Sequence, residues 1–123
     1  MEAFNQELAD TVMRSPGRPL DDTQILDLFL QPEGALMTLW RVFNEASQSY
    51  FQRLPMQPDH PFLCYRPTSW TLESWGARFQ TQGDEQPHIH QHAWLSGVYY
   101  VEVPDFVQNG PEDAFDGCIE FSR

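Results

Sequence analysis

Three histidines, His88, His90 and His92, stand at alternate positions in one short stretch. Alternate residues of a strand share a face, so this spacing predicts three imidazoles side by side. Neutral imidazole is the commonest side-chain ligand for transition metals, and iron, zinc, copper and nickel all accept it. Two imidazoles on one strand face make half of a metal site. An exposed strand end carrying idle histidines would show the same spacing. The surroundings favour the metal reading. The cluster follows a turn at Gln82-Gly83-Asp84 and precedes Trp94 to Val103, the most strand-like stretch of the chain, as a site at a barrel mouth does.

No nearby acid completes a ligand set. Asp84 and Glu85 belong to the turn and read as solvated, and Glu102 lies far along the strand. A cupin pattern is matched in part by Gly83, His88, His90 and Gly97, but Leu95 occupies its glutamate position. The other reactive side chains read as ordinary. Ser96 lacks the first glycine of a nucleophile elbow, where Trp94 stands instead. Cys64 and Cys118 lack the cationic setting that activates a thiolate. His60, between Asp59 and Pro61, reads as a capped turn histidine. Trp40, Trp70, Trp75 and Trp94 read as packing residues.

The elements that position the cluster follow from periodicity. Phe4, Leu8 and Val12 recur at helical spacing, and Ser15 to Pro19 stop that helix. A second helix is predicted over residues 33–53, with Pro32 in its first turn and Leu36, Leu39, Trp40, Phe43 and Tyr50 on one stripe. Pro55 and Pro58 end it. Residues 75–81 alternate as a strand does, residues 88–92 and 94–103 predict two more, 105–117 a loop, and 118–121 the start of another strand. The chain thus reads as one α+β domain, 1–123, with a helical part over 1–54 and strands over 70–123.

Composition narrows the chemistry. The 123 residues carry 18 acids against 7 bases, for a net charge of −11, and every base is arginine. Without lysine there is no Schiff-base or P-loop chemistry. So acidic a chain is expected to bind neither nucleic acid nor an anionic membrane. No apolar run reaches membrane-spanning length, and the first residues do not read as a signal peptide. Two widely separated cysteines then predict reduced thiols in a cytoplasmic protein.

Several blocks resemble a known family. Ser74-Trp75 with Arg78, then Gln86-Pro87-His88-Ile89-His90, then Trp94 to Pro104, closely resemble the 2-oxoglutarate–Fe(II) oxygenase family often found at the C-terminal end of tetratricopeptide-repeat proteins. Asp59 to Leu63 and Phe4-Asn5 look like further family elements. The resemblance implies helices followed by a double-stranded β-helix, a cupin-like jelly-roll, that binds Fe(II), 2-oxoglutarate and a small-molecule or peptide substrate. His88 matches the first iron ligand, and His90 falls where the family has a carboxylate. His92 is a further candidate ligand that departs from the family habit, as do Gln91 and Ala93. Tyr99 or Tyr100, and Arg78, are the candidates to contact the oxoacid. The distal histidine and the carboxylate-gripping arginine would follow the strand Gly117 to Phe121, so the β-helix is expected to be incomplete and the isolated chain inactive. Open strand edges invite pairing with another chain, and a second copy of this one, giving a homo-oligomer, is one such partner. Two other readings remain: a metal-binding module without oxygenase chemistry, and an interaction remnant whose acidic loop and sheet edge serve a partner chain.

Overall fold

A computed structural model describes residues 2–14, 27–77, 86–111 and 117–121. It contains helix α1 (Glu2–Arg14), helix α2 (Gly34–Arg53), a 3₁₀ turn (Leu63–Tyr65) and the short helix α3 (Asp105–Gln108). The helices form where apolar residues recur every third or fourth position, because each backbone bond then closes locally while one stripe stays free to pack.

Leu8 of α1 is fully buried, and it packs in one cluster with Phe29, Ala35 and Leu39. Phe4, Leu36, Trp40 and Phe43 close over this cluster from the two helices, and Leu72, Tyr99 and Val101 from the later chain. α2 begins at Gly34, so Pro32 precedes the N-cap residue Glu33 and does not lie in the first turn. Gly34 has φ +54°, a left-handed conformation that turns the chain into the helix. Glu7 of α1 then caps α2 across the interface: its Oε1 accepts from the Ala35 N–H at 3.0 Å. That carboxylate satisfies one of the donors a helix start leaves open.

The end of α2 carries a second packing centre. Phe51 is buried, with Trp70 at 5.0 Å and Trp94 at 5.1 Å between ring centroids. Trp94 in turn stacks on Phe62 at 4.3 Å and 17°. The chain after α2 is held by Arg66, whose Nη2 donates to the carbonyls of Leu54 at 2.7 Å and Pro55 at 3.1 Å.

The expected double-stranded β-helix, or cupin-like jelly-roll, is not found. Among the described residues there is no β-strand. Trp94 to Tyr100 is irregular, 86–90 and 118–121 likewise, and 75–77 make no ladder. Of the predicted strand over 75–81, the part beyond Ala77 lies outside the described residues. The reason is that alternation chooses faces and does not supply a neighbour. A strand exists only when its N–H and C=O groups meet those of another strand. Among the described residues one backbone bond links a predicted strand region or its border to the helical part, Leu28 N–H to the Ser74 carbonyl at 2.8 Å. The predicted loop over 105–117 is corrected too: Asp105–Gln108 winds into the short helix α3, with Pro104 as its N-cap residue and Asp105 in its first turn, where an acid is favourable.

Candidate functional site

His88 and His90 lie side by side. Their rings meet edge to face with centroids 4.9 Å apart. The His88 Nδ1–H donates to the Gln86 carbonyl at 2.8 Å, since a carbonyl can only accept. In the neutral ring this leaves the Nε2 lone pair free, which is the form that ligates metals. His90 rests against Trp75, with ring centroids 5.3 Å apart.

The position of Trp75 is set from the helical part. Asp27 Oδ1 accepts from the Phe29 N–H at 2.9 Å and from the Ser74 N–H at 3.0 Å. Together with the Leu28–Ser74 backbone bond this fastens residue 74 beside the core cluster. Trp75 follows directly and packs against His90 of the pair. The sequence reading missed Asp27. Its signal is faint: an Asp within the apolar run Ile25 to Leu30, where a buried-side acid needs partners.

His92 does not join the pair. The Ala93 N–H donates to the His90 carbonyl at 3.1 Å, closing a turn that ends the alternation His92 would need to share the face. Among the described residues no ring contact links His92 to His88 or His90.

The two tyrosines part company. Tyr99 is half-buried, its ring 6.4 Å from Phe43, and its hydroxyl donates to Asn5 Oδ1 at 2.8 Å. It serves as a tie between α1 and the later chain. Tyr100 is exposed, and its hydroxyl reaches the Gly117 carbonyl at 3.4 Å. Arg78 lies outside the described residues, as do Asp84 and Glu85.

An iron centre of the oxygenase kind needs two imidazoles and a carboxylate on one face, with open positions for the oxoacid and dioxygen. Among the described residues no three of His, Cys, Asp and Glu gather closely enough to hold a metal ion. Among the described residues the donor set is the pair of exposed imidazoles His88 and His90, which by itself does not make a complete iron centre.

Residues 73–122 match the family described as Putative 2OG-Fe(II) oxygenase. The match contains Trp75, both paired histidines, both tyrosines and α3, and it leaves out α1 and α2. No curated protein and no solved structure matches the chain. No helix among the described residues is long and apolar enough to cross a membrane.

Proposed function

We propose that residues 73–122 supply part of a 2-oxoglutarate- and Fe(II)-dependent oxygenase domain, with His88 and His90 as its metal-facing residues. The observation that carries this reading is the adjacent imidazole pair inside the segment that matches the oxygenase family. The His88 Nδ1–H bond orients the ring and leaves Nε2 as the ligating atom. Trp75 packs against His90, with ring centroids 5.3 Å apart. The iron would bring dioxygen activation. The residues themselves contribute orientation and an aromatic neighbour, Trp75. The substrate is a small molecule or a peptide, and the setting is the cytoplasm, where the free thiols of Cys64 and Cys118 persist.

Two imidazoles alone hold a divalent metal weakly, so the isolated chain is expected to bind Fe(II) loosely and to turn over no substrate. The test is anaerobic Fe(II) titration of the purified chain, with and without 2-oxoglutarate, beside a His88→Ala/His90→Ala variant. This reading expects binding that the double substitution abolishes and 2-oxoglutarate tightens. Binding without any oxoacid effect transfers the case to a metal-binding module that performs no oxygenation, a reading favoured by the lack of a carboxylate beside the pair among the described residues. No Fe(II) binding at all refutes both.

A further inference from the structure

The chain has three asparagines, and one of them, Asn109, is followed by glycine. Asn109 is exposed and closes the short helix α3. Its N–H donates to the Asp105 carbonyl at 2.8 Å, and its side-chain Nδ2 donates to Asp105 Oδ1 at 2.6 Å. Residue 110 has to be glycine, because a Cβ there would run into the Phe106 carbonyl oxygen. The fold thus sets an amide side chain directly before the one residue type that puts no side chain beside its backbone nitrogen.

That pair of residues carries a reaction of its own. The Gly110 nitrogen attacks Asn109 Cγ. A bond forms between them, the bond from Cγ to Nδ2 breaks, and ammonia leaves with the proton that the Gly110 nitrogen gives up. Water then opens the five-membered imide at either carbonyl, which puts aspartate or isoaspartate in place of Asn109. The folded conformation opposes the attack. Ring closure needs the Gly110 nitrogen and the Asn109 Cβ on the same side of the Cα–C bond. At φ −118° and ψ 16° that nitrogen is turned away from the side chain. The bond to Asp105 holds the amide back against α3 as well. A four-residue helix opens easily, and its opened form is free to react.

We propose that Asn109 is a self-modifying site: α3 guards it, deamidation occurs when α3 opens, and the product loosens α3 in turn. The reaction replaces an amide that donates to Asp105 with a carboxylate that only accepts. Two carboxylates four residues apart on one helix repel. The change adds a negative charge to a chain already at −11. It falls within the segment that matches the oxygenase family, which includes α3 and leaves out α1 and α2.

The test is peptide mapping by mass spectrometry of the full chain, aged in warm, mildly alkaline buffer. Exchange of the amide nitrogen for oxygen raises the mass, which separates this reaction from isomerisation at Asp116-Gly117. Asn5 and Asn44, followed by Gln6 and Glu45, are internal controls. The expected result is conversion at Asn109 alone, slower than in the same chain unfolded in urea. Asp105→Ala should speed it about twofold to tenfold, the worth of one hydrogen bond. The amides of Val107 and Gln108 donate to the Pro104 carbonyl and report on α3. Asn109→Asp, which imitates the aspartate product, should speed their hydrogen exchange by about the same factor. Adding Asp105→Asn to it sets an amide beside a carboxylate again and should slow the exchange.

An Asn109 that stays intact while the chain in urea converts overturns the proposal. So does conversion as fast in the folded chain as in urea, since α3 would then guard nothing. Conversion of Asn5 or Asn44 as fast as Asn109 overturns it too. Exchange at Val107 and Gln108 that is the same in Asn109→Asp as in the wild type also overturns it, because the product would leave α3 unchanged. If Asp105→Ala fails to fold, the folded and urea-unfolded wild-type chains decide whether α3 guards the site.

Discussion

The chain treats its apolar residues in two opposite ways. In the helical region Leu8, Phe29, Ala35 and Leu39 are buried together. In the segment from 86 to 121, Ile89, Val98, Phe106 and Phe121 are all more than half exposed, Phe121 at 87%. Both regions are rich in apolar side chains, so composition does not separate them. What separates them is where their backbone bonds come from. Helices close their hydrogen bonds within a few residues and then need only one face covered. Extended chain needs a partner along its whole length before it can present a face at all. The histidine pair belongs to the second region and borrows its order from the first, through Asp27, Ser74 and Trp75.

The contrast can be broken at the helical end first. Leu8→Ala empties a fully buried position and should cost about 2–5 kcal/mol, read from urea or thermal unfolding. A loss below about 1 kcal/mol would mean that the helices are not the centre of stability. Gly34→Ala comes next. It puts a Cβ at φ +54° and 2.9 Å from Glu7 Oε1. Strain of this kind costs about 1–3 kcal/mol. A Glu7→Ala background should remove the clash but keep the backbone part, so the two substitutions should not be additive.

Tyr99→Phe tests the tie between the regions. It deletes the bond to Asn5 and should cost about 0.5–1.5 kcal/mol. Its penalty should vanish when Asn5 is already alanine. The smallest effect is expected in the exposed segment, where Ile89→Ser should change stability by less than about 0.5 kcal/mol. A large loss there would show that residue 89 is covered, and the comparison between the regions would fall.

Much of the helical half was legible from residue order. The stripe through Leu36, Leu39, Trp40 and Phe43 predicted a helix over 33–53, and α2 runs Gly34–Arg53. Only Pro32 falls differently, before the N-cap Glu33 and not in the first turn, and the left-handed Gly34 opens the helix. The oxygenase resemblance was legible in the Pro87-His88-Ile89-His90 and Trp94 to Pro104 blocks, and residues 73–122 match that family. The grouping of His88 with His90 was legible as well. His92 was not, since period-2 reasoning assumes a strand, and the chain turns between His90 and Ala93. His60 was readable as a turn histidine, but its two amide partners, Phe62 and Leu63, were not.

By itself the sequence determined whatever is settled within a few neighbours: the helical stripes, the proline stops, the acidic charge and the spacing of two imidazoles. Tertiary structure alone decided the rest. Asn5 finds Tyr99, Glu7 caps α2 at Ala35, and Asp27 anchors Ser74. It also left Trp94 to Tyr100 without a ladder despite the best strand pattern in the chain. The physical reason is the same in each case. A local hydrogen bond depends on residues that the chain has already placed nearby, whereas a distant partner must be brought there against the entropy of closing the loop between them.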